Sequence, residues 1–248
     1  MYDHIMKLSV ITLSWDNLDY TKSFVQSIRQ NTTLPYELII IDNGSEPDTQ
    51  RWVEENSDQS IIFQENQGFS KGFNEGVKLA EGKYVMMANN DTEFPPEWDQ
   101  KLTETMEKNP SAGIVSPVYT SGRKSALRFK PGKNIKKVFP FRKYPSAVAF
   151  LMRRDELVNT FGGWSEEYEI ASGEDADLCF SVWKAGFDIL IDERVLIFHE
   201  GKVTSSSKLE DWQAHFKMNS RQFRKKWFYY YYFPYLAIIT KNINDNKS

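Results

Sequence analysis

Three carboxylates stand within four residues at Glu174-Asp175-Ala176-Asp177, directly after Gly173. A carboxylate held there can take a proton from an attacking hydroxyl, which is general-base chemistry. The same acids could simply offset a helix dipole, and Ser172-x-x-Asp175 fits a capping box. Asn89-Asn90-Asp91 offers hard oxygens of the kind that hold Mg2+ or Mn2+ against a diphosphate; the alternative is a polar turn. His199 closes the apolar run Val195-Leu196-Ile197-Phe198. A neutral imidazole there could complete a metal site if it approaches Asp91, or could be an ordinary edge residue. Asp42 lies between an apolar run and the turn Asn43-Gly44-Ser45. It could accept a hydrogen bond from a ribose hydroxyl or a base N–H, or cap its own turn.

These residues need a scaffold to bring them together. Residues 7–14 are rich in β-branched types and read as a strand, and Tyr20, Phe24 and Ile28 recur at helical spacing. Residues 36–42 form the near-continuous apolar run of a buried parallel strand. A short helix over 49–55 and a strand over 61–64 come next. Ser70 is placed to cap a helix running to Ala80 and ended by Gly82, and 84–88 is the fourth strand. Trp98, Leu102 and Met106 mark a further helix that Pro110 stops. This alternation predicts βαβ units and a parallel sheet with helices on both faces, with ligands beyond the carboxyl ends of the strands. The second half is less regular: strands over 114–119, 147–153 and 195–198, a helix over 174–185, and a helical tail from about 208.

Composition excludes several classes. The chain has 248 residues, enough for one large domain, with 40% hydrophobic and 26% charged residues, as in a folded globular protein. Basic residues number 31 and acidic ones 34, a net charge of −3, which disfavours a nucleic-acid binder. Cys179 is the single cysteine, so no intrachain disulfide or multi-thiolate zinc site is available, and it reads as a buried hydrophobe. No segment reaches the ~18 consecutive apolar residues of a membrane span. The first seven residues lack the features of a signal peptide, so a cytoplasmic placement is expected. There is no Gly-x-Gly-x-x-Gly after the first strand, no Walker loop and no Gly-x-Ser-x-Gly elbow, which disfavours dinucleotide enzymes, P-loop NTPases and elbow hydrolases.

Taken in order, the motifs resemble those of the family 2 glycosyltransferases, and within them the rhamnosyltransferase-like branch. The likeness runs over about 7–207. Residues 9–17 look like the family's opening strand, and Ile40-Ile41-Asp42-Asn43-Gly44-Ser45 its nucleotide-binding stretch. Asn66-x-Gly68-Phe69 with Asn74-x-Gly76 is similar to the family's next segment, and Asn89-Asn90-Asp91 stands where the Asp-x-Asp metal motif belongs. Gly162-Gly163-Trp164-Ser165-Glu166-Glu167 precedes Glu174-Asp175-x-Asp177, and His199 falls at the late metal position. Asn89 departs from the usual Asp and leaves Asp91 as the main anionic ligand.

The resemblance implies an α/β chain of GT-A fold, with a mixed, mostly parallel sheet flanked by helices. A Rossmann-like nucleotide-binding half spans about 1–92, an acceptor-side half 93–207, and a helical tail 208–248. It implies metal-dependent inverting transfer of a sugar from a nucleoside-diphosphate donor, dTDP-rhamnose or a UDP-sugar, to a hydroxyl of a growing cell-surface glycan. Ser14, Trp15, Asp42, Lys71, Asn74 and Asn90 would hold the nucleotide, with Trp15 against the base and Lys71 toward phosphate. Asp91 and His199 would hold Mn2+ or Mg2+. Asp175 would be the base, and Glu174 and Trp164 would shape the acceptor side, Trp164 by stacking on a sugar face. Two other readings are a nucleotidyltransferase, whose basic loop after the first strand is missing here, and a catalytically silent sugar- or glycan-binding module.

Two segments lie outside the motifs. Residues 121–145 carry nine Lys or Arg and no acid. They form either a solvated loop or an electropositive rim for an anionic acceptor or lipid headgroup. In the tail, 221–239 sets bases beside Trp227, Phe228 and four consecutive tyrosines. That composition suits a peripheral contact at the inner membrane face, a dimer contact, or a helix packed on its own domain.

Overall fold

A computed structural model describes residues 8–121, 130–168, 172–201 and 212–232. Residues 1–7, 122–129 of the basic stretch and 233–239 of the tail lie outside the described residues.

The first four strands pair in parallel: β1 (Leu8–Ser14), β2 (Tyr36–Asp42), β3 (Gln59–Ile62) and β4 (Tyr84–Ala88). Between them run α1 (Leu18–Asn31), α2 (Pro47–Asn56) and α3 (Phe69–Leu79). The remainder comprises β5 (Thr92–Glu93), α4 (Trp98–Lys108), β6 (Ala112–Thr120), β7 (Ile135–Val138), β8 (Ala149–Arg153), α5 (Arg154–Asn159), α6 (Glu174–Lys184), β9 (Asp188–His199) and α7 (Trp212–Tyr232). The order across the sheet is β3-β2-β1-β4-β8-β6-β9-β5, with β7 also paired to β9. β8 runs antiparallel to β4 and joins the first four strands to the rest. The architecture is the expected mixed α/β sheet flanked by helices.

Continuous apolar strands follow from burial on both faces. Val10, Leu38, Ile40 and Met86 point to one side and pack with Phe24, Ile28, Trp98, Leu102 and Met106 of α1 and α4. Ile11, Ile39, Ile41, Val85 and Met87 point to the other and pack with Phe73, Val77, Trp164 and Leu178. Gly72 and Gly76 let α3 lie close on the sheet, since a Cβ at either would meet Leu13 Cδ2 at 2.7 Å or Ile11 Cγ2 at 2.5 Å. Cys179 is fully buried.

Several local expectations are corrected. The third strand is Gln59–Ile62, two residues earlier than its apolar content suggested. Ser70 lies inside α3; the N-cap is Gly68 at φ +86°, whose N–H donates to Asn66 Oδ1 at 2.8 Å. The capping box at Ser172 does not form, because Gly173 is the N-cap of α6 and Ser172, at φ +83°, has a buried hydroxyl with no partner. The last strand is 12 residues long and begins at Asp188, because its first part pairs with β6 and β7. Part of the basic stretch is strand as well: in β7, Lys136 pairs with Glu193, and Lys137 with Asp188 at 2.6 Å. Those two cations are therefore paired with carboxylates of one neighbouring strand, β9.

Candidate active site

The carboxyl ends of β1, β2 and β4 meet through their loops. After β1, Asp16 and Asn17 both adopt left-handed backbone, at φ +50° and +48°. Ser45 holds this turn from the next loop: the Asp16 N–H donates to Ser45 Oγ at 2.7 Å, and the Glu46 N–H to Asp16 Oδ1 at 2.9 Å. Such strain persists only where the surroundings fix it, and it gathers at functional sites. Gly44, at φ +81°, has its Cβ position 2.7 Å from the Glu65 backbone, so no other residue fits that turn. Asn43 ties the second loop to the third, its Nδ2 donating to Asn66 Oδ1 at 2.9 Å while its Oδ1 accepts from Gln67 N at 2.8 Å.

Asp42 is fully buried. Its Oδ1 accepts from Ser45 N at 2.8 Å, as in the capped turn, but its Oδ2 has no partner. Burial pushes its carboxyl above the usual range. Asn17 Nδ2 is a second buried polar atom without a partner on the adjoining loop. An unsatisfied acceptor and donor on adjoining loops cost stability unless something supplies their hydrogen bonds. Ser14 Oγ lies 3.3 Å from Thr21 Oγ1, which accepts from Asn90 Nδ2 at 2.9 Å, so α1 joins the ends of β1 and β4. Trp15 is half-buried beside them. Lys71 donates to Gln67 Oε1 at 2.7 Å at the start of α3.

Two-residue β5 brings the other groups together. Thr92 pairs with His199 in antiparallel register. Asp91 Oδ1 then lies 3.2 Å from His199 Nε2, while its Oδ2 accepts from Gly201 N at 3.0 Å and its carbonyl from Glu200 N at 3.0 Å. His199 Nδ1 is buried without a partner, and the ring meets Tyr119 edge-on at 5.4 Å. Among the described residues no three His, Cys, Asp or Glu side chains cluster as a metal cage. A carboxylate oxygen and an imidazole nitrogen suffice where substrate phosphates complete the shell, as is usual for Mg2+ and within the preferences of Mn2+. The donor set therefore fits such an ion.

At the start of α6, Asp175 is half-buried; its Oδ1 accepts from Ala176 N at 2.7 Å and its Oδ2 from Ser146 Oγ at 3.4 Å. Burial raises its carboxyl above the ordinary range. Glu174 beside it is buried with an unpartnered Oε2, and burial together with the Asp175 charge pushes it up to about 7. Carboxyl groups raised in this way are suited to accepting protons near neutral pH. Asp177, the third acid, faces away from this role. It is buried and accepts from Tyr168 Oη at 2.8 Å, Trp227 Nε1 at 2.6 Å and Lys226 Nζ at 3.0 Å.

Two residues are placed elsewhere than expected. Trp164 is 2% exposed, with its ring stacked at 5.7 Å from Phe73 and 6.1 Å from Phe150 and its Nε1 at 3.0 Å from Met87 Sδ. This core position leaves no open ring face for a sugar. Asn74 is occupied with the Trp164 segment: its Nδ2 donates to Trp164 O at 2.9 Å and Glu166 Oε1 at 2.8 Å, and its Oδ1 accepts from Trp164 N at 2.9 Å. It joins α3 to the 163–166 loop. Asn17 and Thr21 had no role in the expectation, and Asn43 and Asn66 entered it only within their motifs. For the three asparagines the Asn and Gly content of their loops was the available signal; Thr21, inside α1, carried none.

The family described as glycosyl transferase family 2 matches residues 9–164, more than half of the sequence, and the chain belongs to it. A glucosyl-dolichyl phosphate glucuronosyltransferase of Haloferax volcanii is 31% identical over 116 residues, 44% of this chain and 37% of that protein. The Bacillus subtilis glycosyltransferase YwdF is 27% identical over 132 residues, 52% of this chain and 49% of that protein. The chain thus spans under half the length of these two relatives. Among solved structures, S. aureus TarS 1–349 with UDP-GlcNAc superimposes with a TM-score of 0.66 at 18% identity, over 87% of this chain and 66% of that one. GalNAc-T7 with UDP, GalNAc and Mn2+ gives a TM-score of 0.66 at 13% identity, over 79% and 44%. These likenesses define the GT-A fold.

Proposed function

We propose that the protein is an inverting glycosyltransferase that moves a sugar from a nucleoside diphosphate to an acceptor hydroxyl. The observation that carries this reading is the 3.2 Å meeting of Asp91 and His199, which lie 108 positions apart in the sequence, at the edge where the β1, β2 and β4 loops converge. Asp42 offers its free oxygen to the base or ribose, and Trp15 lies against the base. Ser14, Asn90 and Lys71 line the nucleotide side, with Lys71 turning from Gln67 toward phosphate. Asp91 and His199 would hold Mn2+ or Mg2+, whose charge offsets that of the departing diphosphate.

Asp175 takes the proton from the acceptor hydroxyl as its oxygen attacks the anomeric carbon. The bond to the diphosphate breaks on the opposite face, and its electron pair leaves with the phosphate oxygen. Glu174, neutral or charged according to pH, flanks the base. The donor is dTDP-rhamnose or a UDP-sugar, and the acceptor is a hydroxyl on a growing surface glycan. Support comes from the family membership and from neighbours whose structures contain UDP or UDP-GlcNAc.

The test is a thermal-shift series with dTDP- and UDP-sugars and Mn2+, followed by donor hydrolysis without acceptor. A ligand bound by the native state raises the melting temperature. A metal-dependent rise with one donor and slow release of its diphosphate are expected. No shift with any donor would refute the reading.

A further inference from the structure

Helix α7 divides its aromatic residues between two sides. Trp227 is 4% exposed and packs with Phe180 at 5.3 Å; Phe223 meets Phe180 at 5.2 Å, and Tyr230 meets Trp183 at 6.2 Å. These side chains, with the Trp227 and Lys226 hydrogen bonds to Asp177 and that from Asn219 Nδ2 to Ser172 O at 2.9 Å, dock the helix on α6. Phe228 and Tyr229, by contrast, are 47% and 70% exposed. At about 100° per residue, Lys217, Arg221 and Lys225 fall on the same outward side, and all three are exposed.

The 21-residue helix carries five Lys or Arg and no acid, in a chain whose net charge is −3. An open groove of about 630 Å³ lies along it, lined by Glu167, Met218, Arg221, Gln222, Lys225 and Lys226. A scattered exposed aromatic needs no explanation, nor does a solvated row of bases. A row of bases leading into exposed aromatics on one helix side is the composition of an interfacial helix.

We propose that the outward side of α7, from Lys217 to Tyr229, rests on an anionic bilayer surface. Arg221 and Lys225 meet lipid phosphates, and Phe228 and Tyr229 enter the headgroup layer. Charge selects this occupant. A second copy meeting this side with its own would set cation against cation. Because α7 is bonded to Asp177 of α6, docking holds α6, which also carries Asp175, about one helix diameter from the bilayer, where a lipid-linked acceptor would be found. That consequence rests on the transferase reading; the docking itself does not.

The experiment is flotation of the full chain with vesicles of phosphatidylcholine alone and of phosphatidylcholine with phosphatidylglycerol, with donor hydrolysis measured on the same samples. The protein is expected to float only with the anionic vesicles, and to be released by high salt. The pair Arg221→Gln and Lys225→Gln should lower partitioning more than about tenfold. The pair Phe228→Ser and Tyr229→Ser should also lower it. Both variants should keep the wild-type melting temperature and hydrolysis. The proposal is overturned by absence of flotation, by flotation indifferent to phosphatidylglycerol or to both variants, or by light scattering that shows a dimer which the variants dissolve. Flotation without hydrolysis would remove the transferase reading and leave the docking; hydrolysis without flotation would do the reverse.

Discussion

The two sides of the candidate site are built by different means. On the proposed donor side, short loops after β1, β2 and β4 lock one another through Ser45, Asn43 and Thr21, and the polar atoms left over are the Asn17 amide nitrogen and one oxygen of the buried carboxyl of Asp42. On the proposed acceptor side, two carboxyls are buried within four residues: Glu174 and Asp177 are both below a tenth exposed, and of these only Asp177 meets a cation, Lys226. In the proposed reading the donor side is a rigid receptor with unmet hydrogen bonds for a ligand to supply. The acceptor side stores unfavourable electrostatics that proton transfer can relieve. The contrast teaches that rigidity and reactivity are assigned to different parts of one sheet.

The largest expected effect falls on the acceptor side alone. Asp175→Asn should lower transfer about a thousandfold while donor affinity, by titration calorimetry, stays within about twofold. An equal loss of donor binding would erase the division. Next, chelation by EDTA, or His199→Ala, should lower turnover roughly a hundredfold, with activity returning when Mn2+ is added back to the wild type only. Full activity in metal-free buffer would remove Asp91 and His199 from this role.

Third, Asp177→Asn turns an amide toward three donors and should cost about 3 kcal/mol in denaturant unfolding, with α7 losing protection first. The smallest effect is pH-dependent. Glu174 has a folded pKa of about 7, above its ordinary 4.5. Its neutral form is therefore the one the fold favours, and stability is lost as pH rises through that window. Glu174→Gln should leave the melting temperature unchanged near pH 4 and raise stability by roughly 2–3 kcal/mol at pH 8. An unchanged stability difference between the two pH values would show that the burial is not felt as charge.

Much of the donor side was legible in the sequence because its signals are local. The apolar run at 36–42 is β2 to the residue, and the Asn-Gly turns beside it sit where a parallel sheet needs them. The acceptor side was read less completely. Trp164 could have lain on a sugar or in the core, and only its stacking between Phe73 and Phe150 decides. The tail could have met membrane, partner or domain. Its inward side is fixed by Asp177, 50 positions from Trp227, a pairing that no periodicity announces. The capping box failed for a similar reason: Ser172 is turned into left-handed backbone by its surroundings, which a four-residue pattern does not contain. β5 is too short to show any alternation at all.

That two-residue strand carries a consequence for timing. The contact between Asp91 and His199 is secured by one brief ladder and by the amides of Glu200 and Gly201. So small a cooperative unit can fray without disturbing the sheet behind it. In the free protein the Glu200 and Gly201 amides should exchange with deuterium far sooner than those of β1 or β4, and saturating donor should slow them. The cation seat would then be completed by the very molecule it serves.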